Sequence, residues 1–89
     1  MKIVEFPLED INQAKDMTMQ LLEQELVVVT RLYENVYQQW VESGKVDGGD
    51  LVIVRARVED SKLNEAISFI KENHPWSEFC LDVIDSESL

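Results

Sequence analysis

Residues 26–58 read LVVVTRLYENVYQQWVESGKVDGGDLVIVRARV, and this stretch decides the fold. Its first part, 26–30, is a run of β-branched and aliphatic residues, which predicts a strand that is buried on both faces and continues towards Trp40. Such a strand is longer than an average strand, so we expect a bulge or bend near residues 34–35. The first half of the stretch is therefore predicted to form one long, bent strand.

A hairpin is predicted in the second half of the stretch. Residues 46–51 read Val-Asp-Gly-Gly-Asp-Leu, and glycine accepts the positive φ values that a tight hairpin turn demands. The strand that follows, 51–58, places four apolar residues on one face: Val52, Val54, Ala56 and Val58. Its other face carries Leu51, Ile53, Arg55 and Arg57.

The remaining elements lie on either side of this hairpin. The apolar periodicity predicts a strand over 2–8, a helix over 10–24, a second helix over 60–74 and a final strand over 79–83. Asp10 is expected to cap the first helix, and Asp60 or Ser61 the second. Pro75 ends the second helix, because proline disfavours helical geometry in the residue before it. Residues 85–89 are polar and acidic, and we expect a frayed tail there.

The predicted order is strand–helix–strand–strand–helix–strand, in one domain that spans residues 1–89. Right-handed crossovers turn this order into a ferredoxin-like α+β fold, a four-stranded antiparallel sheet with both helices on one face. The other face has no helix to cover it, so it must be polar or must meet another subunit. Apolar residues occur on both faces of the central strands, at Val27, Val29, Leu51 and Ile53. We therefore expect a homo-oligomer that packs sheet against sheet.

The composition narrows the choice of partners. The 89 residues carry a formal net charge of −10 with only eight lysines and arginines, which disfavours nucleic acid because phosphate binding depends on those residues. An anionic membrane surface is repelled for the same reason, and no apolar run approaches the roughly 20 residues that cross a bilayer. The negative electrostatic potential of such a chain favours cations or a basic partner surface. The alternative is that the charge only maintains solubility. A cytoplasmic protein is predicted, and its single cysteine, Cys80, is expected to be buried in the last strand.

Several short segments together resemble the CutA divalent-cation-tolerance family. They are 3–6, 26–29, Tyr37 to Trp40 with the following Gly44-Lys45, and His74-Pro75-Trp76 followed by Glu78. The resemblance implies a trimer of ferredoxin-like subunits, related in architecture to the PII signalling proteins. It also implies a role in the tolerance of divalent cations such as copper. Val29 stands where many members of the family carry a cysteine that is proposed as a soft-metal ligand.

Two residues are candidate metal ligands. His74 is the only histidine and Glu78 lies close to it in the sequence, so an imidazole and a carboxylate could bind a divalent cation together. Further ligands would have to come from Asp82 or from another chain. The alternative is that His74 ends the second helix with its ring hydrogen-bonded to the backbone.

Four more residues are candidates for a ligand site or a subunit interface: Tyr37, Trp40, Lys45 and Trp76. The aromatic residues combine a large contact area with a polar group, which suits an interface. Core packing is the alternative for Tyr37. Lys45 could bind an anionic ligand or could be a solvated hairpin residue.

These features predict a small oligomeric binding or regulatory protein rather than an enzyme. No nucleophile–base pair is visible, so no catalytic residue is assigned. The loop at 7–10 also lacks the arginine and glycines that an acylphosphatase of this fold needs. The alternative function is a PII-like sensor that binds a nucleotide or small anion at a subunit cleft. Lys45, Arg55 and Arg57 would be its plausible phosphate-binding cluster.

Overall fold

The computed structural model describes residues 1–85. Its elements in chain order are β1 (Lys2–Leu8), α1 (Ile11–Glu23), β2 (Val29–Glu42), β3 (Lys45–Val58), a 3-10 turn (Asp60–Lys62), α2 (Leu63–Asn73) and β4 (Asp82–Asp85). The four strands form one antiparallel sheet in the order β2-β3-β1-β4. This is the predicted ferredoxin-like α+β fold. The prediction of a frayed tail is wrong for Asp85, which is the last residue of β4 and pairs with Lys2, and 86–89 lie outside the described residues.

The hydrophobic core lies between the sheet and the two helices. Alternating residues of β1 and β3 face the helices and are buried: Val4, Phe6, Leu8, Val52, Val54, Ala56 and Val58. The helices contribute Ala14, Met17, Leu21, Ala66 and Ile70. Burial of each Val, Leu, Ile or Phe side chain stabilises the fold by about 1.5–3 kcal/mol, so this layer holds both helices on one face of the sheet.

The prediction of the helix N-caps is confirmed for α1 and wrong for α2. Asp10 Oδ2 accepts a hydrogen bond from the backbone N of Gln13 at 3.3 Å. Helix α2 instead follows a 3-10 turn. Within residues 1–85, no side chain accepts a capping hydrogen bond from this turn or from α2. The Asp60 carboxylate lies 3.3 Å from the N-terminal amine of Met1, so a tertiary ion pair engages it in place of the helix amides.

Strand β2 begins at Val29, and the predicted start at residue 26 is wrong. The backbone N of Leu26 donates to Leu21 O at 2.9 Å, and that of Glu25 donates to Leu22 O at 3.0 Å. These are the two hydrogen bonds of a Schellman motif, in which Glu25 takes a left-handed conformation with φ 58°. The chain is therefore still ending α1 where the strand is predicted, and Val29 is 42% exposed instead of buried on both faces.

The predicted bulge in β2 is confirmed. The pairing with β3 shifts register between Tyr33 and Val36, and Asn35 has a φ of 57°. Beyond this bulge β2 and β3 continue to pair past the point where β1 ends. We call this two-stranded extension, residues 36–42 with 45–50, the arm.

The hairpin turn lies at Ser43 and Gly44, so the prediction of a turn in residues 46–51 is wrong. Both turn residues have positive φ, 50° and 76°, as a two-residue type I′ turn requires. Residues 47–50 pair with β2 inside the arm. Gly48 has no turn role, and the tyrosine lies close to it, because a Cβ atom there would be 2.7 Å from Tyr37 Oη.

The last strand begins later than predicted. Residues 79–81 precede β4 and are not part of a strand. Phe79 stacks on His74 with ring centroids 3.7 Å apart, which ties this segment to the end of α2 rather than to the sheet edge. Cys80 is exposed, so the prediction of a buried thiol within a strand is wrong.

We expect Glu25→Gly to stabilise the protein by about 0.5–1 kcal/mol, and chemical denaturation measures this change. A left-handed conformation costs a residue with a side chain about 1–2 kcal/mol, which outweighs the extra freedom of glycine in the unfolded chain. Glu23→Gly is the matched control, because Glu23 has the same charge but is helical, and we expect it to destabilise by up to about 1 kcal/mol. Equal losses of stability in both variants would contradict the role of the left-handed cap.

Candidate functional site

His74 joins strand β1 to the segment that follows α2. Its buried ring places Nε2 2.6 Å from Pro7 O, and Nδ1 accepts a hydrogen bond from the backbone N of Trp76 at 3.0 Å. Because the Trp76 amide is a donor, Nδ1 must be unprotonated, and Nε2 therefore donates to Pro7. Burial lowers the pKa of His74, and this effect outweighs the opposing effect of the hydrogen bond to the Pro7 carbonyl. The neutral ring therefore links strand β1 to the segment that follows α2 through these two hydrogen bonds.

The part of the chain that the structure describes does not group the ligands of a divalent-cation site within one subunit. Both ring nitrogens of His74 are engaged with the backbone, so a metal ion would have to displace one of these hydrogen bonds. Glu78 is exposed and lines a cleft to which His74 does not contribute. Within residues 1–85, no three His, Cys, Asp or Glu side chains are grouped closely enough to hold a metal. The geometry matches the backbone-bonded alternative for His74.

The cleft lies between the arm and the segment that His74 holds, and its volume is about 620 Å³. Three aromatic side chains line it: Trp40 from the arm, and Trp76 and Phe79 from the segment. Four acidic residues are also among its lining residues, namely Glu9, Glu42, Asp50 and Glu78. The other lining residues are Pro7, Gln38, Val41, Gly49, Leu51 and Cys80. The lining set, all within residues 1–85, contains no lysine or arginine, so the cleft is both aromatic and acidic.

The structure brings three of the predicted site residues together and leaves the others apart. Trp40, Trp76 and Glu78 share the cleft. Tyr37 lies against Gly48 and is largely exposed, and Lys45 pairs with Glu42 beside the hairpin turn, so neither of these lines the cleft. Tyr37 and Lys45 stay predictions as interface or ligand residues.

Sequence reasoning did not assign Phe79, Glu9 or Asp50 to a site. Phe79 reads as an ordinary strand residue, and nothing local indicates that it stacks on His74 instead. Glu9 and Asp50 are far apart in the sequence and meet at the cleft only because β1 and β3 are paired. The sequence gives one weak signal, because the four residues on either side of Trp40 and of Trp76 include no lysine or arginine.

A second surface of interest is the face of the sheet that the helices leave uncovered. One row of residues crosses all four strands on this face, because Asp82 is opposite Glu5, Glu5 opposite Arg55, and Arg55 opposite Arg31. Glu5 and Arg55 form an ion pair at 3.1 Å. The row therefore places two acids at the β4 side and two arginines at the β2 side. Exposed apolar residues flank this row: Val29 (42%), Tyr33 (43%) and Ile84 (40%).

The stability of the protein should depend on pH through His74. Its pKa is lowered in the folded state from the ordinary value of 6.5. As the pH falls below 6.5, the unfolded chain therefore binds a proton at this residue more readily than the folded chain does. We expect the free energy of unfolding to fall between pH 7.5 and 5.5 in the wild-type protein. His74→Gln cannot titrate and should be less stable at pH 7.5 by about 1–3 kcal/mol, with a flatter pH profile. Parallel profiles for the two proteins in urea denaturation would contradict this assignment.

Comparison with known proteins places this geometry in a family. No family model matches the chain. The divalent-cation tolerance protein CutA of Thermococcus kodakarensis is 34% identical over 87 residues, which cover 98% of this chain and 83% of that protein. None of the helices within residues 1–85 is long and apolar enough to cross a membrane.

Solved structures show the same fold at lower sequence identity. A crystal structure of Pyrococcus horikoshii CutA matches all of this chain and 87% of its own, with a TM-score of 0.92 and 24% identity. The PII-like protein CutA from Nostoc sp. PCC 7120 matches 98% of this chain and 82% of its own, with a TM-score of 0.88 and 23% identity. These likenesses establish the fold, and the Thermococcus relative establishes the family: the chain belongs to the CutA divalent-cation tolerance proteins.

Proposed function

We propose that this protein is a non-catalytic, oligomeric binding protein that contributes to divalent-cation tolerance. The name of its Thermococcus relative supports the link to divalent cations. The observation that carries the oligomer is the charge row on the helix-free face of the sheet.

This row is unfavourable in an isolated subunit. Like charges directly opposite each other on neighbouring strands destabilise a sheet, and the row contains two such pairs, Asp82 with Glu5 and Arg55 with Arg31. Among the described residues of this row, Glu5 and Arg55 compensate each other by an ion pair. Arg31 belongs to none of the ion pairs that join residues 1–85.

A second copy of the chain supplies the missing charges. When the β2 side of one copy meets the β4 side of the next, Arg31 of the first approaches Asp82 of the second. Such a head-to-tail contact is heterologous, and repeating it forms a ring when the rotation between neighbouring copies closes. The family resemblance favours a ring of three. The exposed Val29, Tyr33 and Ile84 would be buried in the same contact, which adds an apolar contribution to the charge pairing.

We expect Arg31→Asp or Asp82→Arg alone to shift the protein from oligomer to monomer, because each places like charges across the contact. The double variant R31D/D82R restores opposite charges and should restore the oligomer. Light scattering coupled to gel filtration at micromolar concentration measures the mass. Lys71→Asp, which reverses a charge on the exposed side of α2, is the control and should leave the mass unchanged.

Two outcomes would count against the proposal. A monomeric wild-type protein at micromolar concentration would remove the oligomer altogether. An oligomer whose mass does not respond to Arg31→Asp or Asp82→Arg would show that subunits associate through another surface.

The divalent-cation site is proposed to be shared between subunits, since one subunit does not provide enough grouped ligands within its described residues. We expect saturable heat on titration of copper into the wild-type oligomer and its loss in the monomeric Arg31→Asp variant. Arg31 carries no metal-binding atom, so the loss would report on assembly rather than on a deleted ligand. Saturable binding of copper with equal affinity to the monomer would contradict a shared site.

The PII-like alternative, a sensor of a nucleotide or small anion, has weaker support. It has the name of the Nostoc neighbour in its favour. The cleft, however, presents four carboxylates and no basic side chain among its lining residues, and carboxylates repel phosphate. The predictions of a cytoplasmic location and of no nucleic-acid or membrane partner stay predictions from composition.

A further inference from the structure

We propose that the cleft between the arm and the segment after α2 binds a small organic cation that carries an apolar chain and more than one positive charge. A linear polyamine has this chemistry. The inference deepens the proposed binding function and rests on it, because it names the ligand class of a site in the same protein.

The aromatic walls of the cleft are held in place before any ligand arrives. The ring of Trp40 lies over Gly49, where a Cβ atom would be 3.9 Å from Trp40 Cη2. The backbone of Trp76 is fixed on the other side by the hydrogen bond from its N to His74 Nδ1, and its ring centroid lies 5.2 Å from that of the imidazole. The stacking of Phe79 on His74 fixes the third wall. Aromatic faces held in this way attract ammonium groups through the cation–π interaction.

The charge of the cleft selects a cation. Glu9, Glu42, Asp50 and Glu78 line it without a basic neighbour in the lining set. Three ion pairs join residues within 1–85, Met1 to Asp60, Lys2 to Asp85 and Arg55 to Glu5, and none of the three involves these four acidic residues. An anionic ligand would be repelled, and a neutral apolar ligand would bring no counter-charge to the acidic residues of the lining set.

The spacing of the carboxylates selects an elongated cation over a single metal ion. No three of the acidic side chains within residues 1–85 are grouped closely enough to hold one ion. The volume of about 620 Å³ is typical of sites for small organic ligands. A chain with separated ammonium groups can pair with acidic residues that no single ion contacts together, while its methylene groups lie against the tryptophan rings.

The test uses spermidine as the probe and tryptophan fluorescence as the readout. The chain has two tryptophans, Trp40 and Trp76, and both line the cleft, so the emission reports directly on this site. We expect saturable change in emission with spermidine and none with magnesium chloride at the same ionic strength. An equal response to both would show non-specific screening of the acidic surface and would overturn the proposal.

Two pairs of variants locate the site. Trp40→Phe keeps an aromatic face and should bind spermidine within about threefold of wild type, whereas Trp40→Leu should bind about tenfold more weakly. Glu78→Gln should also weaken binding severalfold, and Glu23→Gln, on the exposed surface of α1, should not. Calorimetry confirms each affinity independently of the tryptophan signal.

The result is separable from the fate of the proposed oligomer. If the wild-type protein is an oligomer but binds no spermidine, the ligand inference fails and the proposed assembly stands. The same conclusion follows if the cleft is filled by the arm of a second copy, which would appear as a fluorescence change on dissociation of the oligomer and no change with spermidine. Equal affinities in Trp40→Leu, Glu78→Gln and wild type would place the spermidine site elsewhere and would also overturn the inference.

Discussion

The alternation of side chains along β3 is the constraint on which the rest of the structure depends. Every second residue from Val52 to Val58 is buried under the helices, and the residues between them, including Arg55, face the uncovered side of the sheet. Because β3 pairs with both β1 and β2, its register sets the register of the whole sheet. The same register that builds the core therefore also aligns the charge row that we connect with assembly.

The two hydrogen bonds of the His74 ring connect the stability of the fold to the shape of the cleft. Only the neutral imidazole can donate to Pro7 and accept from Trp76 at the same time. The ring also provides the surface on which Phe79 stacks. His74 suggests metal chemistry in the sequence, but in the structure it positions two aromatic walls of the cleft. Its burial keeps the ring neutral.

The features that depend on local pattern could be predicted from the sequence. The element order, the N-cap at Asp10 and the bulge before Val36 follow from periodicity, capping chemistry and strand length, which operate over a few residues. The start of β2 was wrong because hydrophobicity does not distinguish a buried strand from a buried helix end. Leu26 is buried in either case, and the hydrogen bond of its backbone N to Leu21 decided the outcome.

The candidate site could be predicted only in part. The sequence indicates Trp40, Trp76 and Glu78 separately, each for its own chemistry. Their meeting in one cleft depends on the path of the chain after α2. That path is set by contacts between residues far apart in the sequence, above all by the hydrogen bond between His74 and Pro7.

The sequence by itself determined which residues form the two helices, which alternate in the strands and how the net charge limits the partners. These properties depend on intrinsic preference and on spacing along the chain. The tertiary structure alone decided that the turn lies at Gly44 while Gly48 accommodates Tyr37. Glycine permits both roles equally, and the choice between them depends on the register of β2 against β3, which only the folded sheet defines.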